Sequence, residues 1–340
     1  MSGRSAIPPN LQEFMAKRQG LVRLSDCRKL ELSDSRIARL LAAGLLVKLA
    51  KGVYADRRVV VAADPWTLFD LRSRAFVLAS APGTYAAGWS AAILHRLPTN
   101  GEPPDRPVAL RLRSGSRTRG SAETGNGRTR HVDVPRRMLT RVGGIPTVGP
   151  AFAAVDIGRS ADRLTALMLA DAVAAKVGSG AGLADALSCL ARWPRASRAA
   201  WAVEHCDADV ESPLESAGRL AFMDAGLPPS MTNVWVGEYV PRFRVDHYWP
   251  EQRVAAEGDG LGKYLMTDPA KAIRDEKDRE WWLQSVGIRV FRYGYKHAVG
   301  APQDLAGRCR RLLDAPPPAA DVRIRTWPSR VGTQLRNLGG

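Results

Sequence analysis

Apolar residues recur at helical spacing in "SDSRIARLLAAG", where Ile37, Leu40 and Leu41 stand at i, i+3 and i+4 and mark an inward stripe. Ser33 before this run suits an N-cap, and Gly44 after it suits the C′ position. Two shorter helical patterns precede it, "LQEFMAKRQG", closed by Gly20, and "LSDCRKL". After it, "LLVKLAKGVYAD" alternates as two short strands reversing around residues 50–52. Helix, helix, turn, helix and hairpin, in that order, predict a winged helix-turn-helix over residues 1–62.

Residues 63–206 change pattern. "DPWTLFDLRSRAFVLA", "AAGWSAAILHRL", "GPAFAAVDIGR" and "DRLTALMLADAVAAKVG" read as helices, and "PVALRLR" and "RHVDVP" as strands, which makes a mixed α/β middle region. The Gly-, Ser- and Arg-rich stretch "RSGSRTRGSAETGNGRTR" between the two strands is expected to be a flexible loop. Residues 207–314 follow an α-β-β-β-α-β-α order, that of a small α/β domain. Residues 315–340 open with "APPPAAD", hold few apolar side chains and are expected to form a disordered basic tail. The fold class is therefore mixed α/β, distributed over several domains.

Charge narrows the function classes. The chain carries a formal net charge of +16, which favours a polyanionic partner such as nucleic acid. Arg dominates the basic residues, so the codon bias of a GC-rich genome is a competing source of that charge. Half of the excess, a net +8, falls between Arg106 and Arg141, and a net +7 falls within residues 1–62. The four cysteines are scattered with no CxxC pair, which argues against a disulfide framework or a zinc module and fits a reducing compartment. No apolar run approaches the ~20 residues of a membrane span, so the expected location is the cytoplasm, without membrane contact. "GSGAG" has no following Lys and is no phosphate loop.

Two groups of residues carry candidate chemistry. On the third helix Ser35, Arg36 and Arg39 face outward, and Lys48 and Lys51 lie on the wing, so double-stranded DNA is the partner this arrangement would fit. The alternative is a winged fold used for protein contacts, with solvated arginines. In the C-terminal region, "VDHYWPEQRVAAEGDGLGKY" reads as a hairpin. If residues 250–253 form the reversal, Trp249 pairs with Val254 and Asp246 falls opposite Glu257, with Cβ atoms about 5 Å apart. Like charges so placed call for a cation or a proton between them, and Mg²⁺ or Mn²⁺ suits two carboxylates. Asp259 and Lys263 follow closely, and Lys263 would steady charge on a phosphate. Glu215 is a further candidate, although "SPLE" also spells a capping box with Ser212 as N-cap. "DEKDRE", residues 275–280, reads as a solvated helix face, with Glu276 turned to the site as the alternative.

The stretch "GLVRLSDCRKLELSDSRIARLLAAGLLVKLAKGVYA" resembles the N-terminal winged helix of AbiEi-type antitoxins of type IV toxin–antitoxin systems. "YAAGWSAAILHRLP" and "IPTVGPAFAAVDIGRSADRLTALMLADA" are similar to that family's second region. The resemblance implies a transcriptional autorepressor and antitoxin whose partner is a nucleotidyltransferase-like toxin. The string "ESPLES…RFRVDHYWPEQRVAAEGDGLGKY…EKDREWWLQSVGIRVFRYG" resembles the PD-(D/E)XK nucleases, in their very-short-patch-repair-like, DUF559-type branch. That resemblance implies a restriction-endonuclease-like domain over 207–314, with Asp246 as the motif Asp, Glu257 as the motif Glu and Glu215 as the acid of the first helix. Asp259 stands where that motif has Lys, unless Lys263 substitutes for it. Three functions follow as expectations: a DNA-binding autorepressor and antitoxin, a metal-dependent endonuclease targeted by its winged helix, and an antitoxin acting by protein contact alone.

Overall fold

The computed structural model describes residues 6–112, 120–260, 269–318 and 322–338. The elements through residue 148 are α1 (Pro9–Ala16), β1 (Leu21–Arg23), α2 (Leu24–Lys29), α3 (Asp34–Ala42), β2 (Leu46–Ala50), β3 (Val53–Asp56), α4 (Arg57–Ala62), α5 (Pro65–Ala79), β4 (Thr84–Ala86), α6 (Trp89–Leu94), β5 (Val108–Leu112), β6 (Gly120–Thr124), β7 (Gly127–Val132), β8 (Leu139–Val142) and β9 (Ile145–Val148). Then come α7 (Pro150–Gly158), α8 (Arg163–Val177), α9 (Ala181–Leu190), α10 (Ala196–Glu204), α11 (Pro213–Asp224), β10 (Met231–Gly237), β11 (Phe243–Trp249), β12 (Val254–Gly258), α12 (Pro269–Ser285), β13 (Arg289–Tyr293), α13 (Tyr295–Ala298), α14 (Pro302–Asp314), β14 (Arg325–Trp327) and α15 (Ser329–Leu338). The mixed α/β class read from the sequence is the observed one. The chain divides into two compact units: Met1–Ala161 with Leu183–Ala200, and Asp162–Gly182 with Trp201–Gly340.

In the first unit, β1, β3 and β2 form an antiparallel sheet in that order, which completes the winged helix. Its core holds Leu11, Met15, Val22, Cys27, Ile37, Leu40, Leu46 and Tyr54, the apolar faces of three helices closed over the sheet. The same unit holds a second, mixed sheet of order β6-β7-β5-β4-β9-β8 among the described residues. α5 starts sharply because Asp64 accepts the N–H groups of Trp66 and Thr67 and Pro65 opens the helix. The Arg-rich stretch expected as a loop departs from expectation where it is described. Residues 120–132 form the β6–β7 hairpin, and β7 extends the sheet in parallel beside β5. The reason is tertiary: Gly127 lies so close to Phe76 that a Cβ there would stand 2.8 Å from its ring carbons. Residues 113–119 of that stretch lie outside the described residues.

The second unit is built on a sheet of order β13-β12-β11-β10-β14, antiparallel except for the β12–β13 pair. One core joins Leu214, Ala217, Ala221 and Phe222 of α11 and Leu305, Ala306 and Cys309 of α14 to Trp249, Val254, Ala256 and Phe291 of the sheet. A second joins Trp282, Leu283 and Val286 at the end of α12 to Val234, Val236, Val245 and Ala255. The α-β-β-β-α-β-α order expected for 207–314 is found with one addition, the short α13 between β13 and α14. α8, expected in the middle region, falls in this unit, because buried Asp171 accepts from Ser216 and Arg219 of α11. The expectation of a disordered tail at 315–340 does not hold for residues 325–338. β14 pairs with β10, and α15 is fastened by the Trp235 indole N–H, which donates to the Thr333 hydroxyl. Few apolar residues suffice there because an existing sheet edge supplies the hydrogen-bond partners.

Candidate functional site

The first candidate surface lies on the winged helix. Ser33 caps α3, its hydroxyl accepting the Arg36 N–H at 3.3 Å, and Gly44 ends the helix turn at φ +66°. Ile37 and Leu40 point inward at 2% and 0% exposure, which fixes the rotation of the helix about its axis. Ser35 and Arg39 are then exposed and Arg36 is half-buried, while Lys48 on β2 and Lys51 in the β2–β3 turn are exposed. Ser35 is tied to Ser33 through their hydroxyls at 3.0 Å, and an Arg36 Nη reaches the carbonyl of Ala6 at 3.5 Å. Among the described residues Arg39, Lys48 and Lys51 make no ion pair. All five residues singled out in the sequence thus sit on one small domain, and the cations among them are not committed to acids.

The second candidate is the acidic hairpin, and its register agrees with the sequence reading: Trp249 pairs with Val254, Tyr248 with Ala255 and His247 with Ala256. Asp246, the residue before His247 on β11, lies close enough to Glu257 for its charge to act on that carboxyl. Asp246 Oδ2 accepts the Gly258 N–H at 2.8 Å. Glu257 is 1% exposed, and both of its oxygens are held by one guanidinium: Arg279 Nη1 donates to Oε2 at 2.7 Å and Nη2 donates to Oε1. Arg279 Nη2 also donates to the carbonyl of Arg244 at 2.6 Å. Arg292 binds Asp259 Oδ1 at 3.1 Å, pairs with Glu276, and stands 3.8 Å from Glu257. Ser212 caps α11, its hydroxyl accepting the Glu215 N–H at 3.2 Å, but the reciprocal bond of a capping box is replaced: the Glu215 carboxylate accepts the Ser212 hydroxyl at 2.7 Å, the Glu211 N–H at 2.9 Å and the Asn233 amide. Lys263 lies outside the described residues.

Burial pushes the Glu257 carboxyl above its usual range, against the Arg279 charge that draws it down, and the neighbouring Asp246 charge adds to the rise. Burial likewise raises Glu215. The Tyr293 hydroxyl, facing the Asp246, Glu215 and Glu257 charges from within the core, is raised well above its ordinary value, chiefly by burial. It hydrogen-bonds His247 Nε2 at 2.7 Å, and burial holds that imidazole neutral, its pKa lowered to about 3.

This arrangement does not fit a divalent ion. Mg²⁺ and Mn²⁺ need carboxylate oxygens free to approach at ~2.1 Å, and here both Glu257 oxygens are spent on Arg279. Glu215 is spent on its cap, and Asp259 on Arg292. Among the described residues no group of three or more His, Cys, Asp or Glu side chains is placed to hold a metal. Sequence reasoning missed Arg279 because "DEKDRE" looks like solvated helix surface. Its periodicity turns Glu276 and Arg279 to one side, three residues apart, but only tertiary packing shows that side facing the sheet. Ser90, which faintly suggests a nucleophile in "GWSAA", is fully buried, and its hydroxyl bridges Ser73 and the Val108 N–H.

The N-terminal domain is by its architecture a winged helix-turn-helix, the class of fold that presents one helix and a hairpin to a partner. Residues 11–55, which span α1 to β3, match the family described as "Transcriptional regulator, AbiEi antitoxin". Two uncharacterized proteins of Mycobacterium tuberculosis, from strains CDC 1551 / Oshkosh and ATCC 25618 / H37Rv, are each 32% identical to this chain over 178 residues. The match covers 52% of this chain and 65% of each relative. Among the described residues no helix is long and apolar enough to cross a membrane.

Proposed function

We propose that the protein is a DNA-binding transcriptional regulator of the antitoxin type, with α3 reading an operator in the major groove and the β2–β3 wing gripping the flanking backbone. The observation that carries this reading is the exposure of Arg39, Lys48 and Lys51 on the face of the winged helix opposite its buried core, with Ser35 and Arg36 beside them on α3. The family match over this same segment supports it. A basic surface is not enough by itself for sequence reading. The distinguishing feature is that α3 is rigidly oriented by Ile37 and Leu40, so its outward side chains meet base edges in a fixed order. As an antitoxin the protein would neutralise a toxin, and the resemblance of the N-terminal half implies a nucleotidyltransferase-like one.

The test is retardation of the protein's own promoter DNA across a salt series. Arg36→Ala with Arg39→Ala removes two cationic side chains from the interface, so the slope of log K against log salt flattens by ~1.8. Each of the two that reads a base edge takes about 1–3 kcal/mol of specific affinity with it. Unchanged retardation by the double variant overturns the assignment. Neutralisation of a co-expressed toxin that survives loss of residues 1–62 would assign the antitoxin role to protein contact alone. Endonuclease activity is the less favoured reading, because Glu257, one of the two carboxylates it needs, is already engaged by Arg279.

A further inference from the structure

The acidic hairpin poses a physical problem that its own geometry answers. Asp246, midway along β11, and Glu257, near the end of β12, come close enough for their charges to interact, on sheet residues that are half-buried and buried respectively. A buried carboxylate beside another needs a compensating cation or a proton. The sequence suggests a divalent ion for that role, and the structure supplies a guanidinium. We infer that Arg279 of α12 is the built-in counter-ion of the Asp246–Glu257 cluster, so that the second unit folds without a metal at this place.

Three observations converge on this. First, the Arg279–Glu257 contact is two-pronged: each terminal nitrogen of the guanidinium meets one carboxylate oxygen, the geometry in which Arg binds a carboxylate most firmly. Second, Arg279 is itself fixed. Its side chain is only 16% exposed, it donates to the Arg244 carbonyl on β11, and it contacts Glu276 one turn earlier on α12. Third, a second guanidinium, Arg292 on β13, continues the network by linking Glu276 to Asp259 and lying 3.8 Å from Glu257. A divalent ion reaching Glu257 would have to displace Arg279 and then sit beside two positive charges in a poorly solvated place. Asp259, the residue at the motif's Lys position, has an occupation of its own as the partner of Arg292. The inference is independent of operator reading, which rests on the other unit.

The experiment uses the full chain and reads stability. Thermal unfolding of the wild type is followed with and without millimolar Mn²⁺, and again for Arg279→Ala, Glu257→Gln and the double variant Glu257→Gln/Arg279→Met. The wild-type melting temperature is expected to be the same with and without Mn²⁺. Arg279→Ala, which leaves a buried carboxylate unpaired, is expected to melt several degrees lower. The double variant, with no charge left on either partner, is expected to recover most of that loss. If Arg279→Ala does not fold, the double variant still decides, since folding only when both charges are removed is the signature of a counter-ion. Two results overturn the inference. One is a Mn²⁺-induced rise in the wild type that Glu257→Gln abolishes, which would make Glu257 a metal ligand. The other is a double variant no more stable than Arg279→Ala, which would make the guanidinium a packing group rather than a neutralising one.

Discussion

His247 makes the acid stability of the second unit predictable in sign and size. It is fully buried on β11, with Nε2 2.7 Å from the Tyr293 hydroxyl and Nδ1 3.5 Å from the Ser230 hydroxyl. Burial, aided by the Arg219 charge, lowers its pKa from 6.5 to about 3. The folded imidazole is therefore neutral, while the unfolded chain takes up a proton as soon as the pH drops below 6.5. A base whose folded pKa is depressed contributes stability that is fully present above the unfolded value and is lost as pH falls towards the folded one. For a single site this linkage removes about 2 kcal/mol between pH 8 and pH 5, and roughly 4 kcal/mol by pH 3. Asp171 works the other way. Burial raises it from 3.8 to about 6, so its folded form takes up protons first and its contribution grows as pH falls through 6, offsetting part of the His247 loss. Comparing the wild type with His247→Gln at each pH cancels Asp171 and every other shared group. Gln keeps a polar atom for Tyr293 and cannot titrate. In urea unfolding followed by intrinsic fluorescence, the stability advantage of the wild type over this variant should shrink by ~2 kcal/mol from pH 8 to pH 5. An advantage that stays constant over that range would show that the imidazole is not held neutral, and would refute the reasoning.

Gly127→Ala should cost about 1–3 kcal/mol in thermal unfolding, because the new methyl meets the Phe76 ring at 2.8 Å; an unaltered melting temperature would show that β7 does not pack there. Ser33→Ala should destabilise the winged helix by about 1 kcal/mol through loss of the α3 cap, read by chemical denaturation. Lys48→Ala with Lys51→Ala should weaken DNA retardation about equally for operator and unrelated duplexes, since wing lysines meet phosphate, and a selective loss on one sequence would contradict that role. Ending the chain at residue 318 should lower the urea midpoint, because it strips β14 from the edge of β10 and uncovers Trp235, which is only 8% exposed.

What could be read without the fold was whatever local chemistry decides. The winged helix was legible because each of its signals lies within a few residues of its effect: Ser33 as cap, Ile37 and Leu40 as stripe, Gly44 as stop. The hairpin register was legible too, because a tight reversal dictates which residues face each other, and Trp249 does pair with Val254. The Ser212 N-cap is another such local pattern, and the hydroxyl that makes it also occupies a Glu215 oxygen that a metal site would draw on.

The sequence by itself therefore determined the element order of the winged helix, the orientation of α3 and the register that brings Asp246 towards Glu257. Only the tertiary structure decided what becomes of those acids. Arg279 is 22 residues beyond Glu257 along the chain and reaches it because α12 packs across the sheet through Trp282, Leu283 and Val286. The same holds for the tail, where β14 becomes a strand because the edge of β10 is there to receive it, and for β7, which starts at Gly127, where the Phe76 ring leaves no room for a side chain. Spacing along the chain predicts neighbours only as far as a turn or a hairpin reaches. Which cation neutralises a buried carboxylate is settled by the packing of whole elements, and that depends on apolar faces far apart in sequence.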